Sequence, residues 1–246
     1  MKNTDIEELK SFSKKFFDMG HREPDEKFGM FMSHTYTNST ACFSQKKQQM
    51  LNLLDDEDFA QWRAEVFEAI DRQSKIVGLY MMINDPYKLL WVYMAAYCMS
   101  EKDIAEYWAD AWVRSENPNQ DVNVPLENAV EAFKMSDEKH LMTKEDYKVF
   151  KAIPETITLY RGVMKGHAVD GLSYTADKKN AIWFALRHNK GDSKLIEITV
   201  PKDYVLAYFN TRDEDEYVVD VPRLKEEGRF NLDEIMTDCS EEDYYE

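Results

Sequence analysis

The sequence predicts an α+β fold, with a helical first part packed with a small mixed, mainly antiparallel β-sheet. Apolar residues recur at steps of three and four through the first 150 residues, the spacing that places them on one face of a helix. After Pro154 the texture changes to short β-rich runs separated by turn signals. A chain of 246 residues that is 43% hydrophobic can fill a core, so these patterns are expected to fold.

In DEDFAQWRAEVFEAI, Phe59, Trp62, Val66 and Ile70 form one helical stripe that reads as core. The longest apolar run, Leu89 to Met99, falls well short of the ~20 residues that span a bilayer and reads as a buried helix. Ser100 and Asp103 make a capping-box-like start for EKDIAEYWADAWV, whose Ile104, Tyr107, Trp108, Ala111 and Trp112 keep the helical period and read as packing. The polar stretch SENPNQDVNV, 115–124, is a loop. Pro125 opens LENAVEAF at a first helical position, and Thr143 caps KEDYKVFKAI.

ITLYRG, 157–162, is strand-like, residues 171–175 are a second extended piece, and Asp177 caps a helix through KKNAIWFALRH. LIEITV, VLAYF and EYVVDV (195–200, 205–209 and 216–221) are three further strands, so this half is strand-dominated with one helix. The organisation is therefore 1–150 mainly helical, with its later helices joining the following part, 151–236 β-rich, and 237–246 an acidic tail expected to fray. No internal repeat is visible.

Lys and Arg number 31 against 47 Asp and Glu, a formal charge of -16 whose field repels nucleic acid and anionic membranes. Direct nucleic-acid binding and a membrane role are therefore not expected. Cys42, Cys98 and Cys239 are far apart and form no CxxC pair, which predicts no structural metal and a reducing compartment. MKNTDIEELKSF lacks the apolar core of a secretory signal, so a cytoplasmic location is expected. His140, His167 and His188 have no credible nucleophile beside them in sequence and read as surface or structural residues.

Residues 211–221 read TRDEDEYVVDV, four consecutive acids leading into a strand. Strand alternation would put Glu214, Glu216, Val218 and Asp220 on one face, with Tyr217, Val219 and Val221 on the other. Alone, such a run reads as a solvated acidic turn. Upstream, however, come an aromatic-Arg-Gly on a strand (Tyr160, Arg161, Gly162) and a Ser-x-Thr leading into a helix with Ala-x-x-Phe (Ser173, Thr175, Ala181, Phe184). With Glu214-x-Glu216 closing the order, residues 157–221 resemble the Arg-Ser-Glu class of mono-ADP-ribosyltransferases, found among bacterial toxins and bacteriophage enzymes.

The resemblance implies a sheet core of the ADP-ribosyltransferase type with an NAD cleft in the β-rich half. It implies that Glu216 is the catalytic carboxylate, that Ser173 orients it, that Arg161, with Gly162, Ser173 and Thr175, holds the dinucleotide, and that Glu214 serves an arginine acceptor. Arg187, just after Ala-x-x-Phe, resembles a second phosphate-binding Arg. The triplet here is Ser173-Tyr174-Thr175 where the class usually has Ser-Thr-Ser, and the loop of residues 210–213 is shorter than the one that helps the class select its target.

The chemistry asks for the same groups. A pyrophosphate suits the planar fork of Arg, and cleaving nicotinamide from ribose develops an oxocarbenium-like charge that a carboxylate stabilises. The expected activity is transfer of ADP-ribose from NAD, used as a substrate and without a metal, to a side chain of a protein partner. That partner would be a host protein, met in the host cytoplasm, if the gene is phage-borne. NAD glycohydrolysis, with water as acceptor, and a non-catalytic acidic inhibitor are the alternatives.

Overall fold

Pro154 marks the entry to the central strand of a sheet that the sequence pattern located only in pieces. The computed structural model describes residues 3–187, 191–211, 213–240 and 243–244. Two compact units divide at Glu101 and Lys102. The change at residue 150 is thus a change of secondary structure inside the second unit, not a division between units. Among the described residues no helix is long and apolar enough to cross a membrane.

In the first unit, α1 (Ile6–Asp18) buries Leu9, Phe12, Phe16 and Phe17, and Asp5 caps it by accepting from Glu8 N. Two short antiparallel hairpins follow, β1 (Phe31–His34) with β2 (Thr37–Ser39) and β3 (Ala41–Ser44) with β4 (Gln49–Asn52). The helical pattern gave no sign of them. α2 (Asp56–Asp71) carries the predicted stripe, of which Ile70 is buried while Phe59 and Trp62 pack as partly buried residues against Met32, Leu51 and Leu53. α3 (Ile76–Tyr80) and α4 (Lys88–Ala95) complete the unit, and α4 is the expected buried helix, with Leu89, Trp91, Val92 and Ala95 inside.

The second unit begins with α5 (Glu101–Arg114), followed by α6 (Leu126–Met135), α7 (Glu138–Leu141) and α8 (Lys144–Ala152). Thr143 caps α8 as expected, accepting from Asp146 N. Ile104, Trp108, Ala111 and Trp112 are buried on one face of α5, where Trp108 and Trp112 meet the Phe133 ring of α6 edge-on at 5.7 and 5.0 Å.

The strands are β5 (Thr156–Val163), β6 (Ser173–Thr175), β7 (Ser193–Pro201), β8 (Val205–Phe209), β9 (Glu216–Val219) and β10 (Met236–Cys239), with α9 (Lys178–Leu186) between β6 and β7. Among the described residues they form one sheet in the order β10-β7-β5-β6-β9-β8. Every neighbouring pair is antiparallel, so the sheet is not mixed. Asp177 caps α9 by accepting from Lys179 N and Asn180 N, as its position predicts.

Three expectations need correction. β9 ends at Val219, because Asp220 turns to cap α10 (Val221–Glu226) and pairs with Lys134 at 2.7 Å, so Asp220 and Val221 are not strand residues. With α11 (Leu232–Ile235), the β-rich half holds three helices among its described residues rather than one. The acidic tail is not wholly frayed: Thr237, Asp238 and Cys239 pair with Leu195, Lys194 and Ser193 as an edge strand. Lys194 bonds Asp238 across that pair, which offsets the acidity that made the segment read as unstructured.

Candidate active site

β5 brings Arg161 and Gly162 to the centre of the sheet, and α9 packs directly over them. This closeness requires the glycine. A Cβ on Gly162 would lie 1.9 Å from Ala181 O and 2.7 Å from Ala185 N. Tyr160 of β5 is partly buried beneath the same helix, against Ala181, Ile182 and Leu195. A second glycine, Gly171, makes room for the arginine, since a Cβ there would lie 2.3 Å from Arg161 Nη2.

The Arg161 guanidinium donates from Nη1 to Ser173 O at 2.9 Å and from Nη2 to Ala168 O at 3.3 Å. Its buried Nε has no partner among the described residues. It therefore ties β5 to the segment entering β6 and, having five N–H donors, keeps some in reserve.

β6 and β9 supply a hydrogen-bonded serine–carboxylate pair. Thr175 stands opposite Glu216 in the antiparallel register, which leaves Ser173, two residues along β6, as the diagonal neighbour of Glu216 on the same face. Ser173 Oγ donates to Glu216 Oε1 at 2.5 Å, within the range of a hydroxyl bonded to a carboxylate. Trp112 Nε1 donates to the same Oε1 at 3.0 Å. Glu216 Oε2 has no hydrogen-bond partner among the described residues.

Burial raises the Glu216 carboxyl above the ordinary carboxylate range; the Ser173 and Trp112 bonds pull it back, the Glu214 charge raises it further, and Arg161 lowers it. The local environment thus spends part of its hydrogen bonding to keep a desolvated carboxylate ionised.

Glu214 reaches the same cleft by a different route from the one strand alternation suggested. Asp213 and Asp215 both adopt left-handed backbone, φ 56° and 50°, and β9 begins only at Glu216, so Glu214 lies on a turn and not on a shared strand face. The turn is pinned on several sides. Asp215 N donates to Asn210 Oδ1 at 3.1 Å, Asn180 Nδ2 to Glu214 O at 2.9 Å, and Tyr208 Oη to Asp215 Oδ1 at 2.8 Å. Thr175 Oγ1 donates to Asp215 Oδ2 at 3.3 Å, so this hydroxyl braces the turn. Asp and Asn tolerate left-handed backbone better than most residues, which is why an acidic run can make such a tight approach to a strand.

These groups line one cleft of about 1120 Å³, counting its solvent-open part, which takes in Arg161, Gly162, Ser173, Thr175, Arg187, Glu214 and Glu216. All seven residues singled out from the sequence are thus in its wall. Arg187 is the C-cap of α9, with its guanidinium over the rings of Phe184 and Trp183 at 5.2 and 5.6 Å. His167 also lines the cleft, His140 contacts Asp137 at 3.3 Å away from it, and His188 lies outside the described residues.

Compared with protein-family models, with curated proteins and with solved structures, the chain matches none. Its site is therefore read from its own chemistry. Among the described residues no group of three His, Cys, Asp or Glu side chains is placed to hold a metal ion.

Two residues of the cleft wall that bond to the Ser173–Glu216 pair, Trp112 and Asn119, carry no mark in the sequence. Trp112 fits a helical packing stripe, and nothing in that period shows that its indole N–H meets a carboxylate. Asn119 lies in the 115–124 loop, where Nδ2 donates to Ser173 Oγ at 2.8 Å and Oδ1 accepts from Leu172 N at 2.6 Å and Ser173 N at 3.3 Å. The polar composition of that loop is a signal only of exposure.

Proposed function

We propose that the protein is a mono-ADP-ribosyltransferase of the Arg-Ser-Glu type, moving ADP-ribose from NAD to a side chain of a target protein, with arginine favoured. One observation carries the reading: the Ser173–Glu216 hydrogen bond lies in a cleft shared with Arg161 and Glu214. The residues suit a dinucleotide. The cleft is open to solvent, Arg161 has a buried Nε without a partner among the described residues and spare Nη protons, and Gly162 and Gly171 give α9 and the Arg161 guanidinium the room they occupy.

NAD supplies the ADP-ribosyl group and nicotinamide as the leaving group. Arg161 and Arg187 hold the diphosphate as cations. Glu216 stabilises the positive charge that develops on the ribose as its bond to nicotinamide breaks. Ser173 keeps that carboxylate ionised and oriented. Glu214 orients the acceptor nitrogen and receives the proton it loses as its bond to ribose forms. A fixed turn for Glu214 favours transfer over hydrolysis, because water needs far less orientation than a guanidinium.

Incubating the protein with NAD and a host-cell lysate, followed by mass spectrometry of the lysate proteins, tests this directly. ADP-ribose on a defined protein side chain supports the proposal. Release of free ADP-ribose with no labelled protein would replace it with glycohydrolysis, and stoichiometric inhibition of a partner without NAD would replace it with the acidic-inhibitor alternative.

A further inference from the structure

The helical segment ahead of the sheet contributes to the reactive pair through two side chains. Asn119 donates to Ser173 Oγ, Ser173 donates to Glu216 Oε1, and Trp112 donates to the same oxygen, a four-residue chain drawn from α5, the loop after it, β6 and β9. Both donors to Glu216 act on one oxygen. The carboxylate is therefore fixed through Oε1, while Oε2 has no partner among the described residues.

Each end of the chain is itself anchored. Trp112 is buried, with its ring against Phe133 at 5.0 Å, so its N–H direction is set by the core. Asn119 is held by two backbone N–H groups at the start of β6, and these bonds also settle which end of its amide is nitrogen, because Oδ1 must accept from Leu172 N and Ser173 N. With Asn119 Nδ2 donating to it, Ser173 Oγ directs its own proton to Glu216.

We infer that Trp112 and Asn119 are positioning residues that fix Glu216 through Oε1 and reserve Oε2 for the ribose. This rests on the transferase reading for the identity of the ligand, but the positioning is a property of the protein alone. It separates two tasks that one carboxylate must combine: being held rigidly and having an oxygen free to act. It also gives the helices before the sheet a part in the reaction that the residues of the sheet do not supply.

The test is a carboxyl ¹³C NMR titration of the ligand-free full chain, with the Glu216 signal identified by its loss in Glu216→Gln, alongside steady-state nicotinamide release. Among the described residues the ionisable groups around Glu216 are Arg161 and Glu214, with Glu116, His167, Arg187 and the phenols of Tyr160 and Tyr174 elsewhere in the cleft wall, and neither test substitution alters them. Trp112→Phe keeps the ring and removes the donor. It is expected to move the Glu216 midpoint about one pH unit higher, the worth of a hydrogen bond to a charged group, and to lower kcat roughly tenfold with KM nearly unchanged. Asn119→Ala removes the other end of the chain at a half-buried site and is expected to shift both readouts in the same direction by a smaller amount; it decides the matter if Trp112→Phe fails to fold.

An unmoved Glu216 midpoint in the folded variants, or a raised KM with kcat intact, would overturn the inference. A parent protein that releases no nicotinamide would overturn the proposed function instead, and the titration alone would then judge the positioning.

Discussion

Ser173 and Glu216 are diagonal neighbours on adjacent antiparallel strands, and the serine hydroxyl donates to the carboxylate at 2.5 Å. Ser173→Ala removes one of the two donors to Oε1 without altering strand pairing. A hydrogen bond to a charged group is worth about 1.5–3 kcal/mol, so nicotinamide release should fall roughly 10- to 100-fold. The strands should stay intact, with a melting temperature close to the parent's. A rate within twofold of the parent would remove Ser173 from the mechanism.

Gly162 is required by packing as well as by its place beside Arg161. Gly162→Ala forces a methyl group against the backbone of α9, 1.9 Å from Ala181 O, so the helix must lift. Overpacking of this kind costs about 1–3 kcal/mol, and urea unfolding should register it as a lower midpoint with an unchanged slope. Because α9 also carries Arg187, NAD affinity should fall in the same variant. A fully stable Gly162→Ala protein would show that α9 is not held this closely.

Glu216 ties stability and activity to pH with opposite signs. Its carboxyl titrates above the ordinary range, so as pH falls it protonates, and nicotinamide release should decline, earlier than for an exposed glutamate. A raised acid disfavours its ionised form in the fold: the stability it contributes is present below its unfolded value and is lost as pH rises through the folded one. Glu216→Gln should therefore melt higher than the parent at neutral pH, with the difference vanishing at low pH. Equal melting temperatures across the range would contradict the assigned desolvation.

His34 makes the first unit acid-sensitive. It is fully buried among the rings of Phe17, Phe59 and Trp62, with Nδ1 accepting from Tyr36 N at 3.1 Å, and burial lowers its pKa from 6.5 to about 4. Folding thus disfavours the protonated form. Stability from this group is complete above the unfolded value and is lost between about 6.5 and about 4 as the unfolded chain takes up the proton, a loss of roughly 3 kcal/mol. Denaturation of the parent and of His34→Gln at several pH values should show this slope only in the parent; identical slopes would exclude His34 as the sensor.

The sequence made legible whatever depended on local chemistry. Thr143 and Asp177 cap the helices they were expected to cap, and the β5, β7 and β8 runs announce themselves by β-branched and aromatic content. Less visible were features set by pairing at a distance. The hairpins of residues 31–52 have strands of only three or four residues with many exposed side chains, too short for alternation to register. β10 is acidic and becomes a strand through its register with β7 and the Lys194–Asp238 contact.

The same division applies at the site. Arg161, Ser173 and the two glutamates were found by their order along the chain. Trp112 and Asn119 could not be, since a core tryptophan and a loop asparagine have no spacing that marks them. Glu214 reaches the cleft by left-handed backbone at Asp213 and Asp215 and not by strand alternation, so a residue of the cleft wall was reached through an incorrect geometry.

In the proposed reaction two carboxylates in one cleft divide the work, Glu216 serving the ribose and Glu214 the acceptor. Nicotinamide release from NAD and labelling of the target protein, followed in parallel for the parent, Glu214→Gln and Glu216→Gln, test it most directly. The parent should do both, Glu214→Gln should lose labelling while retaining slow nicotinamide release, and Glu216→Gln should lose both by at least ~10²-fold. Nicotinamide release undiminished in Glu216→Gln, or target labelling undiminished in Glu214→Gln, would contradict this division.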